Sequence, residues 1–315
     1  MTQRCLENIK LRDEEIRKGT PSKIVTGLVV QGGGMRGIYS MAALMALEEC
    51  SLGGAFDHVI GSSAGAINGA YLLAEQAKLA VTVYLDDISN KNFINFSRLR
   101  KPVDIDFLVD GVLTKHKALD LKKVSNSFST LHIVLTDYQT AEPFVVTNKD
   151  LEVDIMEAIR ATAAMPILYD KRVLVKGREY IDGGLADSVP FLRAIELGCT
   201  DIVVVLTRPP SFRDSRPNLL MSAIESFLLR HYPAPTKQAA LLGDKLYTKA
   251  MELLEDPRRI EDSVRILVVY PSDLNRLVSR MTRNRAKLLN CALMARNDTR
   301  RALGLKSLTD NPWSE

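Results

Sequence analysis

The sequence predicts an α/β fold in which helices cover the faces of a mostly parallel sheet. Two consecutive units of the chain carry this prediction. In the first, the apolar and β-branched segment 24–31 is followed by a glycine run and by helical spacing over 36–50. In the second, the short apolar segment 56–60 is followed by a glycine-containing turn and a small-residue helix over 64–79. Alternation of strand, glycine turn and helix is typical of parallel sheets.

The rest of the chain continues this pattern less evenly. Residues 86–113 are rich in Asp, Asn and Arg, so we expect an irregular excursion from the sheet there. Apolar runs and turn residues then predict strands at 131–135, 143–147, 172–175, 178–181, 202–206 and 264–270. Helical spacing is found at 152–164, 190–197, 217–231 and 236–255, and in the tail that follows.

The composition of the 315-residue chain is ordinary for a globular protein, with 46% apolar and 25% charged residues. The net charge of +4 is too small to argue for a nucleic-acid partner. The first twenty residues are polar, and no apolar run approaches the roughly 18 residues of a membrane span. The four cysteines form no C-x-x-C pair, so we expect reduced thiols and a cytoplasmic location.

The glycine run Gly32-Gly33-Gly34-Met35-Arg36-Gly37 separates the first strand from the first helix. Glycines let backbone N–H groups approach a ligand oxygen at the positive end of the helix dipole, which predicts an oxyanion hole. The run also satisfies G-x-G-x-x-G, but a dinucleotide site needs an acidic residue where Gly61-Ser62-Ser63 end the next strand. Because a cation is disfavoured in the first turn of a helix, Arg36 either binds an anion or braces the loop through carboxylate contacts.

The segment Gly61-Ser62-Ser63-Ala64-Gly65 forms the second strand-to-helix turn and matches the G-x-S-x-G nucleophile pattern. Such a turn holds its central serine in a strained backbone, and the flanking glycines remove side chains that would clash. Ser63 is therefore the predicted nucleophile. Ser62 is the rival nucleophile, and an ordinary helix N-cap serine is the alternative interpretation.

The segment Asp182-Gly183-Gly184 places a carboxylate at the start of a further glycine turn. A serine nucleophile needs a base, and none of the four histidines has the spacing of a triad or metal site, so Asp182 is the predicted base. An exposed aspartate, with a pKa of about 3.9, is a poor base, so we expect Asp182 to be desolvated. Asp-Gly-Gly is also an ordinary turn sequence, and nearby Asp187 is expected to be a turn or capping residue.

The three motifs, in this order, resemble those of the patatin-like phospholipase family over residues of about 24 to 200. The resemblance implies a three-layer α/β/α fold and hydrolysis of lipid or fatty-acyl esters by a serine–aspartate dyad, without a metal or other cofactor. It makes Ser63 the nucleophile and Asp182 the base. It places the oxyanion hole at Gly33 and Gly34, with supporting roles for Gly32, Arg36, Gly37, Gly61, Gly65, Gly183 and Gly184. Gln31 is a departure, because several relatives carry Asp there, and we expect no chemistry from it.

The remaining region, 201–315, resembles the family more loosely and is expected to complete the fold with helices, a late strand and a basic helical tail. Between Arg276 and Arg301, eight basic residues are opposed only by Asp298. They form either a solvated helix face or a surface attracted to anionic lipid headgroups, which would make the protein peripheral at a membrane.

The sequence allows more than one interpretation of how the substrate binds and of which reaction follows. An acyl chain needs an apolar groove, and segments 86–113 and 165–168 are the candidate walls. The same dyad could pass the acyl group to an alcohol or thiol, which would make the protein a transferase. A non-catalytic lipid-binding protein is the third possibility.

Overall fold

The computed structural model describes residues 2–98, 101–169, 171–212, 226–255 and 263–313. Eight strands in these ranges form one sheet. They are β1 (Thr26–Val30), β2 (His58–Ser62), β3 (Thr130–Asp137), β4 (Pro143–Thr147), β5 (Val173–Val175), β6 (Arg178–Asp182), β7 (Asp201–Val205) and β8 (Arg265–Val269).

The sheet order is β5-β6-β3-β2-β1-β7-β8, and β4 pairs with β3 outside this path. Strands β3, β2, β1, β7 and β8 run parallel to one another. Strands β4 and β6 pair antiparallel with β3, and β5 pairs antiparallel with β6. The α/β prediction is confirmed, and the sheet is mixed because of this antiparallel edge.

Helices lie on both sides of the sheet. They are α1 (Thr2–Lys18), α2 (Gly37–Glu49), α3 (Ala64–Leu73), α4 (Ala77–Thr82), α5 (Leu121–Asn126), α6 (Ile155–Thr162), α7 (Phe191–Glu196), α8 (Ala234–Glu255) and α9 (Arg285–Ala302). Two wider, π-helical segments span Val83–Asp87 and Phe107–His116, and short 3₁₀ turns follow β1 and β6.

Alternate residues of each strand face opposite layers, because successive side chains of a strand point to opposite sides of the sheet. Val29 and Val204 pack into one apolar core with residues of α7 and α8. Leu28 and Val203 pack into the other core with residues of α2, α3 and α9. The three-layer arrangement that the family resemblance implies is therefore confirmed.

Helix α2 is buried on all sides, since every residue from Gly37 to Leu47 is inaccessible to solvent. Helix α9 packs against α2. Tyr39 Oη donates to Asp298 Oδ2 at 3.0 Å, and Arg296 Nε donates to Glu49 Oε2 at 2.8 Å. Arg296 is buried in this contact, so it belongs neither to a solvated helix face nor to a lipid-binding surface.

Two predicted segments differ from the structure. The predicted helix 64–79 is broken after Leu73, where Glu75 adopts a φ of 56°, and it resumes as α4. The predicted irregular excursion 86–113 contains the start of the ten-residue π-helix 107–116, which buries Leu108 and Val112. Most of the predicted helix 217–231 lies outside the described residues.

Helix α1 is an element that the sequence analysis did not predict. Its apolar face is narrow, with Cys5 and Ile9 buried, and the rest of the helix is mostly polar. Arg12 anchors it through Asp57, with 2.6 Å between Nη2 and Oδ1. A stripe this narrow does not stand out from a polar surface segment in the sequence.

Two further features concern membrane-spanning helices and disulfide bonds in the part of the chain that the structure describes. Among the described helices, none combines the length and apolar character that a bilayer span requires. All four cysteines are free thiols, as predicted. Burial raises the pKa of Cys5, Cys199 and Cys291 to about 12, so these three act as small apolar side chains.

Candidate active site

Ser63 lies between β2 and α3, in the turn predicted for a nucleophile. Its φ of 52° and ψ of −133° fall in a region that residues with a side chain rarely adopt. The flanking glycines are required because a side chain at either position would clash with the backbone. A Cβ at Gly61 would lie 2.6 Å from the Ala66 N, and one at Gly65 would lie 2.1 Å from the Val30 O. Although Ser63 occupies the N-cap position of α3, its hydroxyl makes no capping bond to that helix.

The Ser63 hydroxyl instead reaches Asp182, the last residue of β6. Ser63 Oγ donates to Asp182 Oδ2 at 2.8 Å, and the backbone N–H of Gly184 donates to Oδ1 at 2.8 Å. Both side chains are nearly inaccessible, with Ser63 8% and Asp182 5% exposed. The structure thus brings together the two predicted dyad residues, and the contact belongs to Ser63 and not to its rival Ser62.

Strand order explains how two side chains 119 residues apart meet. Strand β3 lies between β2 and β6. Ser62, at the end of β2, is paired with Val134 of β3, whereas Asp182 is paired with the next residue, Leu135. The parallel strand and the antiparallel strand therefore deliver their last residues to neighbouring positions on β3.

Burial changes the acid–base behaviour of Asp182. Desolvation raises its pKa from 3.8 to about 6, while the hydrogen bonds from Ser63 and Gly184 and the charge of Arg280 act in the opposite direction. The carboxylate is therefore a stronger base than an exposed aspartate, as the sequence analysis expects. It also remains mostly ionised at neutral pH.

Thr162, at the end of α6, is a site residue that the sequence analysis missed. Its Oγ1 accepts a hydrogen bond from the Ser63 N–H at 2.8 Å and donates to the Val134 carbonyl at 2.6 Å. Gly183 lies against the same carbonyl, since a Cβ there would be 1.8 Å from Val134 O. The fully buried Thr162 thus fixes the backbone of the strained serine.

The glycine loop after β1 lies directly against the serine. A Cβ at Gly32 would be 3.0 Å from Ser63 Cβ, and one at Gly37 would be 2.8 Å from Ala64 Cβ. Gly33 and Gly34 have φ values of 134° and 57°, which favour glycine. Within the ranges that the structure describes, their two N–H groups have no protein acceptor, so they are available to a ligand oxygen.

Arg36 connects this loop to the segment before α9. Its Nε donates to the Val278 carbonyl at 3.1 Å, and its guanidinium lies over the Phe212 ring, 5.2 Å from the centroid. The Met35 N–H donates to the Arg280 carbonyl at 2.9 Å, which ties the same two segments together. These contacts brace the loop through a backbone carbonyl and an aromatic ring, where the sequence analysis expected carboxylates. Arg36 also lines a cleft beside Ser63, which is compatible with the predicted anion-binding role.

An apolar cavity opens at Ser63. Residues from both candidate walls line it, among them Phe93, Ile105 and Leu108 from the excursion and Met165 and Leu168 from the later segment. We call this space the apolar cavity.

A second space also borders Ser63. It is bordered by Asp182 and by polar or charged side chains that include Gln31, Arg36, Ser188, Arg208 and Arg280. We call it the polar cleft. Ser63, Met165 and Arg280 border both spaces.

The other ionisable candidates lie outside the dyad. His58 Nδ1 and His132 Nε2 are 3.0 Å apart, and burial lowers the pKa of both rings, that of His132 to about 4. His58 precedes Ser62 by four residues of β2, which is about 13 Å along the strand. Asp187 Oδ1 accepts the Val189 N–H at 3.2 Å, which is the predicted turn contact. In the described part of the chain, no three His, Cys, Asp or Glu side chains are grouped to hold a metal ion.

A comparison with family models places the chain among known proteins. The family model described as Patatin-like phospholipase matches residues 28–195, more than half of the chain. The chain is 30% identical over 202 residues to the uncharacterized protein YjjU of Escherichia coli K12. The aligned residues make up 62% of this chain and 54% of that protein. The chain therefore spans about half the length of this curated relative. The crystal structure of VipD from Legionella pneumophila aligns with a TM-score of 0.49 at 14% identity, covering 90% of this chain and 67% of that one.

Proposed function

The chain belongs to the patatin-like phospholipase family, and from this premise we propose that it hydrolyses the carboxylic esters of lipids through Ser63 and Asp182. The observation that carries the proposal is the 2.8 Å hydrogen bond from Ser63 Oγ to Asp182 Oδ2. It lies where an apolar cavity, a polar cleft and a loop of available N–H groups meet.

Asp182 acts first as a general base and then as a general acid. Its Oδ2 takes the Ser63 proton while Oγ bonds to the ester carbonyl carbon, and the carbonyl π electrons move to the oxygen. The N–H groups of Gly33 and Gly34 stabilise that oxyanion. When the tetrahedral intermediate collapses, the carbon–oxygen bond to the alcohol breaks, and Asp182 returns its proton to the departing alcohol.

Water completes the cycle by attacking the acyl-enzyme ester. Asp182 accepts a proton from the attacking water, and a second tetrahedral intermediate forms in the same oxyanion hole. Its collapse breaks the bond between the acyl carbon and Ser63 Oγ, and the protonated Asp182 restores the serine hydroxyl. The fatty acid leaves, and the raised pKa of Asp182 favours each proton transfer toward the carboxylate.

The two spaces beside Ser63 suggest how a lipid ester lies in the site. The apolar cavity suits an acyl chain, because burial of methylene groups there removes apolar surface from water. The polar cleft suits the alcohol portion, which carries the groups that need hydrogen bonds. With the ester carbonyl at Ser63, each half of the substrate then meets a surface of matching polarity.

Peripheral contact with an anionic membrane is part of the proposal. Leu241 borders the polar cleft and is 45% exposed, and Phe96 is 62% exposed two residues after the cavity residue Ile94. The exposed Arg280 borders both spaces, and Arg283 donates to the Ile94 carbonyl at 3.1 Å. Exposed apolar groups beside cations suit a surface of anionic headgroups.

A fluorophosphonate probe tests the catalytic proposal, because it reacts covalently with an activated serine. We expect labelling of the wild-type protein at Ser63, no labelling of Ser63→Ala, and loss of lysophospholipid hydrolysis in that variant. Ser62→Ala is the matched control and should be labelled and active. Hydrolysis by purified Ser63→Ala at the wild-type rate, with the fold verified by circular dichroism, would overturn the proposal.

A further inference from the structure

Asn68 is a buried amide on α3, the helix that follows Ser63, and the proposed mechanism does not use it. The residue is fully inaccessible to solvent, and it borders the apolar cavity that opens at Ser63. A buried amide is costly unless its polar atoms have hydrogen-bond partners, so the partners of Asn68 belong to the design of the site. They connect the nucleophile helix to the glycine loop and to the cavity wall.

The Asn68 amide makes hydrogen bonds on both of its sides. Its Nδ2 donates to the Gly37 carbonyl at 2.9 Å and to Ser40 Oγ at 3.0 Å. Its Oδ1 accepts from Tyr84 Oη at 2.9 Å. Because a backbone carbonyl can only accept, the amide atom that meets Gly37 is the NH₂ group. The opposite atom is then the oxygen, and Tyr84 must be the donor to it.

Gly37 ends the glycine loop and begins α2, so these bonds fix the loop at its carboxyl end. The loop also packs against Tyr84, since a Cβ at Gly37 would lie 2.5 Å from Tyr84 Oη. At the other end of the loop, the Met35 N–H donates to the Arg280 carbonyl. The segment that carries the two available N–H groups is therefore held on both sides.

Tyr84 and Tyr71 both line the apolar cavity but bond to different parts of the chain. Tyr84 is 5% exposed and Tyr71 is 1% exposed. The Tyr84 hydroxyl donates to Asn68, whereas the Tyr71 hydroxyl donates to the Lys117 carbonyl at 2.5 Å. Burial raises the pKa of both phenols above the usual range, so both stay protonated and able to donate. The two tyrosines therefore form a matched pair of similar burial and different partners.

We propose that Asn68 and Tyr84 are positioning residues for the oxyanion hole. Asn68 holds the Gly37 carbonyl beside α3, and Tyr84 fixes the amide of Asn68 in the orientation that makes this bond. The N–H groups of Gly33 and Gly34 then keep one position relative to the nucleophile. Because Tyr84 also lines the apolar cavity, acyl-chain binding and oxyanion stabilisation share one side chain. The inference rests on the proposed function for the role of the loop N–H groups.

Tyr84→Phe tests the proposal by kinetics, because it removes one hydroxyl and keeps the ring in the cavity wall. We expect kcat for a short-chain p-nitrophenyl ester to fall about tenfold, with KM nearly unchanged, since Asn68 loses a buried donor and the hole loses its fixed geometry. Acylation and deacylation use the same hole, so kcat falls whichever step limits turnover. Tyr71→Phe is the matched control and should keep the wild-type kcat. Equal losses of kcat in the two variants, or none in Tyr84→Phe, would overturn the proposal.

A double-mutant cycle tests whether Tyr84 acts through Asn68. Asn68→Ala removes the bond to Gly37 and should lower kcat by more than Tyr84→Phe does. We expect the double variant to have the same kcat as Asn68→Ala alone, because the hydroxyl then has no amide to orient. Independent, multiplicative losses of kcat would contradict the assigned role of Tyr84.

A pair of inhibitors separates positioning of the hole from a general effect on the fold. An alkyl trifluoromethyl ketone accepts Ser63 Oγ at its carbonyl carbon, the serine proton moves to Asp182, and the carbonyl oxygen becomes an oxyanion. The matched alkyl methyl ketone fills the same cavity with little addition. In Tyr84→Phe we expect the inhibition constant to rise about tenfold for the first compound and little for the second. An equal change for both ketones would contradict a role in the oxyanion hole.

Hydrogen exchange distinguishes failure of this inference from failure of the proposed function, because it needs no turnover. Mass spectrometry of peptides covering residues 35–41 compares the wild type with Tyr84→Phe and Tyr71→Phe. We expect faster exchange in Tyr84→Phe alone, and the same rate in all three proteins would overturn the inference. If exchange changes as expected but the wild type cleaves no ester and binds neither ketone, the proposed function fails and the support of the glycine loop by Tyr84 stands.

Discussion

The apolar cavity and the polar cleft share Ser63 but are built from different parts of the chain. The cavity is walled by α3 and by the long excursion between β2 and β3, which contributes Phe93, Ile105 and Leu108. The cleft is walled by residues at the ends of strands and in the loops after them, including Gln31, Ser188 and Arg208. The excursion and the strand ends can therefore change separately, so under the proposed function recognition of the two halves of an ester can vary without altering Ser63 or Asp182.

Replacing the proposed base, Asp182, has the largest expected effect on turnover. It tests whether substrates in the apolar cavity and in the polar cleft depend on the same reactive centre. Asp182→Asn keeps the shape of the side chain and the bond from Gly184 but removes the proton acceptor. We expect kcat to fall by about a thousandfold or more for every ester, whatever its chain or headgroup. Steady-state kinetics with a short-chain and a long-chain ester measure this. Asp187→Asn is the matched control, and loss of activity toward only one class of ester in Asp182→Asn would contradict a shared centre.

Removing the Thr162 hydroxyl, which holds the Ser63 backbone N–H, has the next largest expected effect. Thr162→Val deletes the hydroxyl that links the Ser63 N–H to Val134, which leaves buried groups without partners. We expect kcat to fall about ten- to hundredfold, and unfolding to become easier by about 1–3 kcal/mol. Kinetics and denaturant titration measure the two changes. Thr162→Ser keeps the oxygen and should recover most of kcat, and a wild-type kcat in Thr162→Val would show that Thr162 has no positioning role.

Narrowing the apolar cavity separates the two spaces directly. Leu168→Trp adds bulk at the cavity wall in a half-buried loop. We expect the ratio of kcat/KM values for long-chain and short-chain esters to fall about tenfold, because the longer chain loses apolar burial. Ser188→Leu adds similar bulk to the polar cleft and should leave that ratio unchanged. An equal change of the ratio in both variants would mean that the spaces are not separate subsites.

The smallest effect is the pH dependence near neutrality. Because Asp182 must be ionised to accept a proton and burial raises its pKa to about 6, kcat/KM should be half-maximal near pH 6. It should then fall about tenfold for each further unit of acidification, as the protonated form accumulates. Burial also raises the pKa of Asp187 to about 6, so Asp187→Asn must retain the acid limb. A limb near pH 4 in the wild type would contradict a desolvated base.

The sequence predicted the parts of the site that short motifs encode. The glycine turns pointed to Ser63 and Asp182 because each turn needs positions without a side chain. The strand–turn–helix alternation placed Ser63 at a strand end, and the predicted strand 178–181 did the same for Asp182. Thr162 gave no such signal, because its role exists only after α6 packs beside β3. Gln31 was visible as a departure from relatives, but its contact with Thr207, which lies 176 residues away in the chain, left no signal in the sequence.

The fold was predicted best where the apolar pattern is simple. Strands β1, β7 and β8 lie close to their predicted ranges, since buried parallel strands form continuous apolar runs. The break at Glu75 was missed because no glycine or proline marks it. The antiparallel edge was also not predicted, since strand direction depends on where the connections cross the sheet and not on strand composition.

The position of β3 between β2 and β6 has a consequence for inactivation by heat. Asp182 pairs with Leu135 of β3, and Ser63 directly follows the residue that pairs with Val134, so the two proposed catalytic side chains stay close while β2 and β6 remain paired with β3. Catalysis should then survive warming until the whole domain melts, and the temperature curves for residual turnover and for ellipticity should coincide. The slowest-exchanging amides of the protein should be those of β3.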